Sequence, residues 1–203
     1  MSEKLNSEIK LPNCVGIIMD GNRRWARNNG LQVLKGHHAG GDTLKKIVEQ
    51  AKDLGIKNII FYTFSTENWN RSEEEVTYLL KLIGSFIKDE LDHFHKEGGV
   101  LRYVGDLSRF SPDLQKILNE SVLKTKDNTG TNVYFALNYG GRQEILSAVR
   151  KIVSENSQKN IQPEDITEEY FAKFLQTYPM PDPDIIIRTS GEMRLSGFLP
   201  WQG

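Results

Sequence analysis

The stretch from Asp20 to Trp25 has the residue types of a phosphate site and directly follows a continuous apolar run, Cys14 to Met19. An aspartate, a glycine and two arginines stand where a strand would give way to the N-terminus of a helix. Backbone amides and the helix dipole favour a phosphate at such a turn. The guanidinium groups of Arg23 and Arg24 match phosphate oxygens, and Asp20 could hold a magnesium ion against them. The alternative is an Asx-type turn with solvated arginines, which is a common structure.

Three other apolar runs end in similar polar groups: Ser65 to Arg71, Asn138 to Arg142 and Arg188 to Ser196. Ser72 with Glu75 fits a capping box, which would explain that pair without any chemistry. The four ends together supply arginine, asparagine, serine, glycine and one aspartate. This shared inventory indicates a site for more than one phosphate group.

Other phosphate and metal chemistries lack their motifs. The sequence contains no G-x-x-x-x-G-K-[ST] or G-x-G-x-x-G pattern, and no cysteine–histidine cluster that could bind zinc. The pair His37-His38 follows Gly36 in a predicted loop near the proposed site. A solvated surface pair is the ordinary interpretation, whereas the location favours His37 as a phosphate contact or proton carrier.

The elements that must position these residues alternate between strands and helices. Strands are predicted at Cys14–Met19, Asn58–Phe64, Val100–Val104, Val133–Leu137 and Asp184–Arg188. Their runs lack polar alternation, which is typical of strands covered on both faces. Helices are predicted at Thr43–Leu54, Glu73–Glu97, from Ser111, at Gly141–Ser154 and from Thr167. The pattern predicts a single-domain α/β sandwich with a central, mostly parallel sheet, and ligands bind beyond the carboxyl ends of such strands.

Bulk properties narrow the function classes. A chain of 203 residues suits one domain, here expected at 11–203 after a polar tail at 1–10. The formal net charge of −1 argues against a nucleic acid partner. The single cysteine, Cys14, excludes an intrachain disulfide and lies in an apolar run, where a buried inert thiol is expected. No stretch approaches the roughly 20 apolar residues of a membrane span, so a cytoplasmic protein is expected.

Five blocks of this sequence resemble the signature motifs of the cis-prenyltransferase family. They occur in the family's order from about residue 10 onward, and five ordered blocks are a specific signal. The blocks are Asp20-Gly21-Asn22-Arg23-Arg24-Trp25-Ala26, Gly36-His37, Phe64-Ser65-Thr66-Glu67-Asn68-Trp69-Asn70-Arg71, Asn138-Tyr139-Gly140-Gly141-Arg142 and Arg188-Thr189-Ser190-Gly191-Glu192-x-Arg194-x-Ser196.

The resemblance implies condensation of isopentenyl diphosphate with an allylic diphosphate, expected to be farnesyl diphosphate. The Z-polyprenyl diphosphate product would serve as a lipid carrier for cell-wall glycans. The family also implies Mg²⁺ held by Asp20, a homodimer, and a product that partitions to the membrane, with the enzyme peripheral to its inner face. Catalytic roles are implied for Asp20, His37 and Asn68. The implied substrate-binding residues are Gly21, Asn22, Arg23, Arg24, Trp25, His37, Ser65, Glu67, Trp69, Arg71, Arg188, Arg194 and Ser196.

The sequence departs from the family at its end. Relatives continue beyond the position of Gly203, so the domain at 11–203 is expected to be truncated. Two alternatives compete with a catalyst: a non-catalytic partner subunit of a cis-prenyltransferase, and an unrelated phosphate-binding α/β module. A partner subunit would not need Asp20, Arg24, His37, Asn68 and Arg71, so their presence favours the catalyst.

Overall fold

The computed structural model describes residues 10–159 and 161–203. Within them lies a parallel sheet of five strands in the order β3-β4-β2-β1-β5. The predicted single-domain α/β architecture and its five strands are confirmed. The strands are β1 (Cys14–Ile18), β2 (Asn58–Ser65), β3 (Val100–Val104), β4 (Asn132–Tyr139) and β5 (Ile185–Arg188).

The sheet order brings the first and last strands of the chain together. β1 pairs with β2 on one side and with β5 on the other, so that Ile18 is level with Tyr62 and Arg188. Because all strands are parallel, the polar segments that follow β1, β2, β4 and β5 emerge at one edge of the sheet. This is the edge where open α/β sheets bind ligands.

Six α-helices and three short 3₁₀ segments connect these strands in the described part of the chain. The 3₁₀ segments are Thr66–Asn70, Leu107–Arg109 and Pro163–Asp165. The helices are α1 (Asn22–Asn28), α2 (Val33–Asp53), α3 (Glu73–Lys96), α4 (Pro112–Thr125), α5 (Gly141–Lys159) and α6 (Glu168–Ala172).

Helix α2 begins ten residues earlier than its predicted start at Thr43, so the prediction that His37 lies in a loop is wrong. Glycines in this stretch suggested a loop, but they allow α2 to approach α1. A Cβ atom at Gly36 would overlap the carbonyl oxygen of Asn22, and one at Gly40 would lie 2.6 Å from Asn22 Nδ2. His37 is thereby fixed on a rigid element and buried.

The two faces of the sheet carry separate cores. On the first face, side chains of α2, α3 and α4 pack against the strands. On the second face, Phe198 and Leu199 cover the sheet. The prediction that every strand is covered on both faces is wrong for β5, where Ile185 and Ile187 are 47% and 44% exposed. β5 is an edge strand, and only the intervening Ile186 packs on the second core.

Two smaller predictions concern burial and membranes. Cys14 is fully buried, and this burial, with Asp184 and Asp182 nearby, raises the pKa of its thiol to about 12. The predicted burial of this thiol is confirmed. Among the helices of the described residues, none combines the length and apolar character that crossing a bilayer requires.

Candidate active site

The turn after β1 places Asp20 at the sheet edge. Gly21 adopts φ 96° as the N-cap of α1, and a Cβ atom there would lie 2.7 Å from Ser190 Cβ. A glycine is therefore required both by the backbone angle and by the close approach of the chain after β5. Asp20 Oδ1 accepts a hydrogen bond of 2.7 Å from Gly21 N.

Arg188, the last residue of β5, joins the two ends of the site. It donates to Asp20 Oδ2 from Nε at 3.2 Å and from Nη2 at 2.7 Å. Its Nη1 donates to Ser196 Oγ at 2.9 Å and to the carbonyl oxygen of Arg194. Burial raises the pKa of Asp20, but the Arg188 and Gly21 hydrogen bonds outweigh it, so the net pKa is lowered. The aspartate is therefore ionised at neutral pH.

The segment after β5 folds back over the same turn. Thr189 Oγ1 donates to the carbonyl oxygen of Asp20 at 2.6 Å, and Arg24 Nη1 donates to Ser190 O at 3.1 Å. Glu192 accepts from Arg24 Nη2 at 3.4 Å and also pairs with Arg194. Arg24, from early in the sequence, thus shares the carboxylate of Glu192 with Arg194, from late in the sequence.

Glu75 is the centre of a second, buried cluster. Ser72 Oγ accepts from Glu75 N at 3.3 Å, which is half of the predicted capping box. The side chain of Glu75 instead accepts from His37 Nε2 and Arg71 Nη1, both at 3.0 Å, and lies 3.7 Å from Arg23 Nη2. The interpretation of Glu75 as a cap alone is therefore wrong, because its carboxylate faces three cationic or polar donors.

The electrostatics of this cluster fix the state of His37. Burial lowers the pKa of His37, and the hydrogen bond to Glu75 offsets that only in part. Burial raises the pKa of Glu75, but the His37 bond and the charge of Arg71 outweigh it, so its net pKa is lowered. At neutral pH a neutral imidazole with its proton on Nε2 faces an ionised carboxylate. Its Nδ1 lone pair remains available as an acceptor.

The segment after β2 combines site residues with structural ones. Asn68 Oδ1 accepts from Ser65 N at 3.0 Å and thereby stabilises the 3₁₀ turn. Trp69 points into the protein, where its indole N–H donates to Asn138 Oδ1 at 2.8 Å and the Arg109 guanidinium lies 4.0 Å from its ring.

A cavity of about 580 Å³ opens between these clusters. Three of the predicted site residues, Trp25, Trp69 and Arg194, do not line it. The predicted residues that line it are Asp20, Gly21, Asn22, Arg23, Arg24, His37, Ser65, Glu67, Asn68, Arg71, Arg188 and Ser196.

Behind the polar mouth, the cavity is apolar. Leu79, Ile83 and Phe86 of α3 line it, together with Leu44 of α2 and Phe135 of β4. A second cavity of about 370 Å³ lies between α2, α3 and the sheet, lined by apolar side chains such as Val48 and Leu91 and also by charged ones such as Lys52 and Glu97. The two share walls at Leu44, Phe86, Ile87 and Phe135.

The donor set is compatible with a magnesium ion held together with a diphosphate. Among the described residues, no group of three or more His, Cys, Asp or Glu side chains is arranged for a metal. Asp20 is one ionised, partly exposed carboxylate at the mouth of the cavity, surrounded by guanidinium groups. Magnesium commonly takes one or two carboxylates and fills its remaining positions with water and phosphate oxygens.

Sequence reasoning missed part of this arrangement. Glu75 looked like a cap, and its burial depends on the packing of α2 against α3, which no local pattern reveals. Thr189 and Glu192 appeared only as members of a family block, without roles. Their contacts with Asp20 and Arg24 join residues at opposite ends of the chain.

A sheet edge rich in arginine, with an apolar cavity behind it, is the arrangement expected of a prenyltransferase. A family profile described as "Putative undecaprenyl diphosphate synthase" matches residues 18–203. The chain belongs to the undecaprenyl diphosphate synthase family of prenyltransferases.

Individual relatives agree with this assignment. An isoprenyl transferase of Clostridium perfringens is 48% identical over 195 residues, covering 96% of this chain and 77% of that protein. A ditrans,polycis-undecaprenyl-diphosphate synthase of Micrococcus luteus, described as (2E,6E)-farnesyl-diphosphate specific, is 45% identical over 193 residues, covering 95% and 78%.

Solved structures give the same result. Lavandulyl diphosphate synthase from Lavandula x intermedia, in complex with dimethylallyl diphosphate, superimposes with a TM-score of 0.91 at 35% identity, covering 94% of this chain and 83% of that one. A probable undecaprenyl diphosphate synthase from Campylobacter jejuni gives 0.77 at 28% identity, covering 96% and 82%.

Proposed function

We propose that this chain condenses isopentenyl diphosphate with an allylic diphosphate, expected to be farnesyl diphosphate, and forms a Z-polyprenyl diphosphate. The observation that carries the proposal is Arg188, which contacts both Asp20 and Ser196 at the mouth of an apolar cavity. This geometry supports two diphosphate groups side by side with a hydrocarbon behind them. The product would be a lipid carrier for cell-wall glycans.

The allylic diphosphate would bind at the turn after β1. Backbone amides from Gly21 to Arg24 and the side chains of Arg24 and Arg71 would donate to it. His37 would line the same site with Nδ1 as an acceptor, because its Nε2 proton donates to Glu75. Donors already fixed where charge develops stabilise a leaving diphosphate without reorganisation. Glu75 would hold His37 and Arg71 in place for that task.

The diphosphate of isopentenyl diphosphate would bind to Arg188, Arg194 and Ser196. Asn68 and Ser65 line the cavity between the two head groups, where the reacting carbons would meet. Arginine suits this role because its planar fork can bind phosphate oxygens through two hydrogen bonds.

Asp20 would hold Mg²⁺ against the diphosphates. When bound, the ion neutralises the negative charge that develops as the allylic carbon–oxygen bond breaks. The chain's own contribution is an ionised carboxylate oriented by Gly21 and Arg188.

The growing hydrocarbon would lie along α3 and continue into the second cavity. Burial of each CH₂ group contributes about 0.8 kcal/mol, so apolar walls favour retention of the chain. Thr63 lines the first cavity and Thr131 the second, so both are candidates for setting product length. Leu137 lines neither and is fully buried in the core.

A homodimer is proposed from an exposed apolar stripe on α5. Leu146, Val149 and Val153 are spaced for one helix face, and all three are exposed. We expect Val149→Lys to give a monomer in light scattering, whereas Leu123→Lys on α4 leaves the mass unchanged. Equal masses for all three proteins at the monomer value would contradict the dimer.

We place the enzyme in the cytoplasm, peripheral to the inner face of the membrane. The supporting argument is chemical, because a polyprenyl product partitions into lipid. Vesicle flotation with and without product-loaded enzyme would test this placement.

The decisive experiment incubates the chain with farnesyl diphosphate, labelled isopentenyl diphosphate and Mg²⁺, followed by sizing of the lipid. We expect Asp20→Ala to lower the rate by at least about 100-fold with an unchanged circular dichroism spectrum. Asp127→Ala, an exposed aspartate distant from the cavity, is the matched control. Full activity of Asp20→Ala would remove the metal role, and an inactive unmodified chain would favour the partner-subunit alternative.

A further inference from the structure

Glu144 is a buried carboxylate outside the cavity described above. It lies in the first turn of α5 and is 1% exposed. A carboxylate removed from water is costly unless hydrogen bonds compensate it. A glutamine or an apolar residue at position 144 could be buried at a lower cost in free energy.

Three neutral donors converge on this carboxylate. Tyr139 OH donates to Oε2 at 2.6 Å, and Gln202 Nε2 donates to the same oxygen at 3.2 Å. The backbone N–H of Thr177 donates to Oε1 at 2.9 Å. Only a carboxylate can accept at both oxygens from three such donors, since an amide in its place would present a donor on one side.

The three donors belong to three separate parts of the fold. Tyr139 ends β4, Thr177 lies in the segment before β5, and Gln202 follows the turn that carries Ser196. Gln202 Nε2 also donates to Thr177 Oγ1 at 2.7 Å, which ties these two parts to each other. Glu144 thus anchors the far end of the segment whose near end is Arg188.

That segment needs anchoring because of its backbone. Ser196 and Leu199 have φ 49°, a left-handed conformation that is unfavourable for residues with a side chain. Such angles persist only where surrounding contacts impose them. Besides Gln202, the contacts include a 2.8 Å hydrogen bond from Gly141 N to Gly197 O, one of 3.3 Å from Tyr62 OH to Ser196 O, and the stacking of Phe198 on Tyr62 at 4.8 Å.

We infer that Glu144 is a positioning residue for the second diphosphate: through Gln202 it fixes the turn that presents Ser196 to Arg188. The inference rests on the proposed function, which assigns Arg188, Arg194 and Ser196 to isopentenyl diphosphate. Glu144 itself does not line the cavity. Its loss would affect the isopentenyl diphosphate site more than the allylic site, whose backbone amides and Arg24 belong to the turn after β1 and to α1.

The test measures binding separately for each substrate. Glu144→Gln preserves volume but turns an N–H group toward Tyr139 and Gln202. Gln202 could meet that N–H only by turning its amide so that Oε1 accepts, which rearranges its hydrogen bond with Thr177 Oγ1. Isothermal titration with isopentenyl diphosphate and Mg²⁺ is expected to give a Kd about tenfold higher than that of the unmodified chain, which corresponds to about 1.4 kcal/mol. The Kd of farnesyl diphosphate is expected to stay within twofold, with full stoichiometry for both.

A second pair of variants makes smaller changes, so that the inference can still be tested if Glu144→Gln does not fold. Tyr139→Phe removes one of the three donors. Tyr103→Phe on β3 removes a partly buried hydroxyl that bonds to Ser121 at 2.7 Å, and Tyr103 does not line the first cavity. We expect only Tyr139→Phe to weaken binding of isopentenyl diphosphate.

Three results would overturn the inference: equal changes in both Kd values, unchanged Kd values in both variants, or a lowered stoichiometry with unchanged Kd. The last is the signature of a purely structural role. Failure of the unmodified chain to bind isopentenyl diphosphate would instead refute the proposed function. The two failures are therefore distinguishable.

Discussion

Replacement of Glu75 by alanine should destabilise the protein far more than the same change one residue earlier in the helix. Glu75 is buried and accepts from His37 and Arg71, whereas Glu74 occupies the same first turn of α3 and is exposed. Both variants remove one acidic side chain near the helix N-terminus, so the dipole contribution is matched. Their difference isolates the buried cluster.

The magnitude follows from the exposure of each partner. The side chains of Glu75 and His37 are 9% and 8% exposed, and a buried hydrogen bond to a charged group contributes about 1.5–3 kcal/mol. Arg71 is 27% exposed, so its share is about 1 kcal/mol or less after solvent screening. Arg23 is half exposed at 3.7 Å and adds about nothing. We expect Glu75→Ala to cost about 2–4 kcal/mol.

Denaturant unfolding at pH 7.5, followed by circular dichroism, measures these free energies. Glu75→Gln provides a graded third point, because its amide oxygen can keep both bonds at about half their strength, for a cost of about 1–2 kcal/mol. Glu74→Ala should stay within about 0.5 kcal/mol of the unmodified chain. If Glu75→Ala and Glu74→Ala lose the same free energy, the cluster contributes nothing and the reasoning is refuted.

The pKa of His37 is lower in the folded than in the unfolded chain, so the unfolded chain takes up the proton first as pH falls below about 6.5. The contribution of neutral, buried His37 to the free energy of unfolding is therefore complete above that pH and lost on acidification. Denaturant melts should show a steeper loss between pH 7 and 5.5 in the unmodified chain than in His37→Asn; parallel slopes would contradict the shift. In the same helix, Gly36→Ala should lower the free energy of unfolding by about 2 kcal/mol or more, because its methyl group meets the Asn22 carbonyl. Gly41→Ala, with its nearest neighbour at 3.7 Å, should be neutral or stabilising, so equal losses in both would argue against the packing constraint. Cys14 should resist iodoacetamide at pH 8 until the protein is unfolded; rapid labelling of the native chain would contradict its burial.

The strands and the sheet edge could be predicted because their signals are local. Continuous apolar runs such as Asn58–Phe64 indicate buried parallel strands, and polar residues that follow them must lie at the carboxyl edge. The start of α2 could not be predicted, because glycines such as Gly36 and Gly40 usually disfavour a helix. In the folded protein they instead allow α2 to pack closely against α1. The exposure of β5 depends on its place in the strand order, which its sequence Ile185–Arg188 does not encode.

The site was predicted to the extent that its residues stand in recognisable blocks. Asp20, Arg188 and Ser196 were assigned to it, and the structure brings them into contact. Trp69 was assigned to substrate, yet its indole bonds to Asn138. An aromatic residue inside a functional motif gives no sign of which way it points, since that depends on a partner 69 positions away in the chain.

The pairing of β1 with β5 has a consequence for how the protein is made. β1 leaves the ribosome before the other four strands of the sheet, but its neighbour β5 arrives about 170 positions later, as the bond from Asn13 N to Asp184 Oδ2 illustrates. Contacts of such sequence separation close late, because a long loop must be ordered first. We therefore expect β1 to wait with one edge unpaired while β2, β3 and β4 assemble. The carboxylate of Asp20 would therefore meet the guanidinium group of Arg188 only after β5 has joined the sheet, so the proposed site would be assembled later than most of the sheet that carries it.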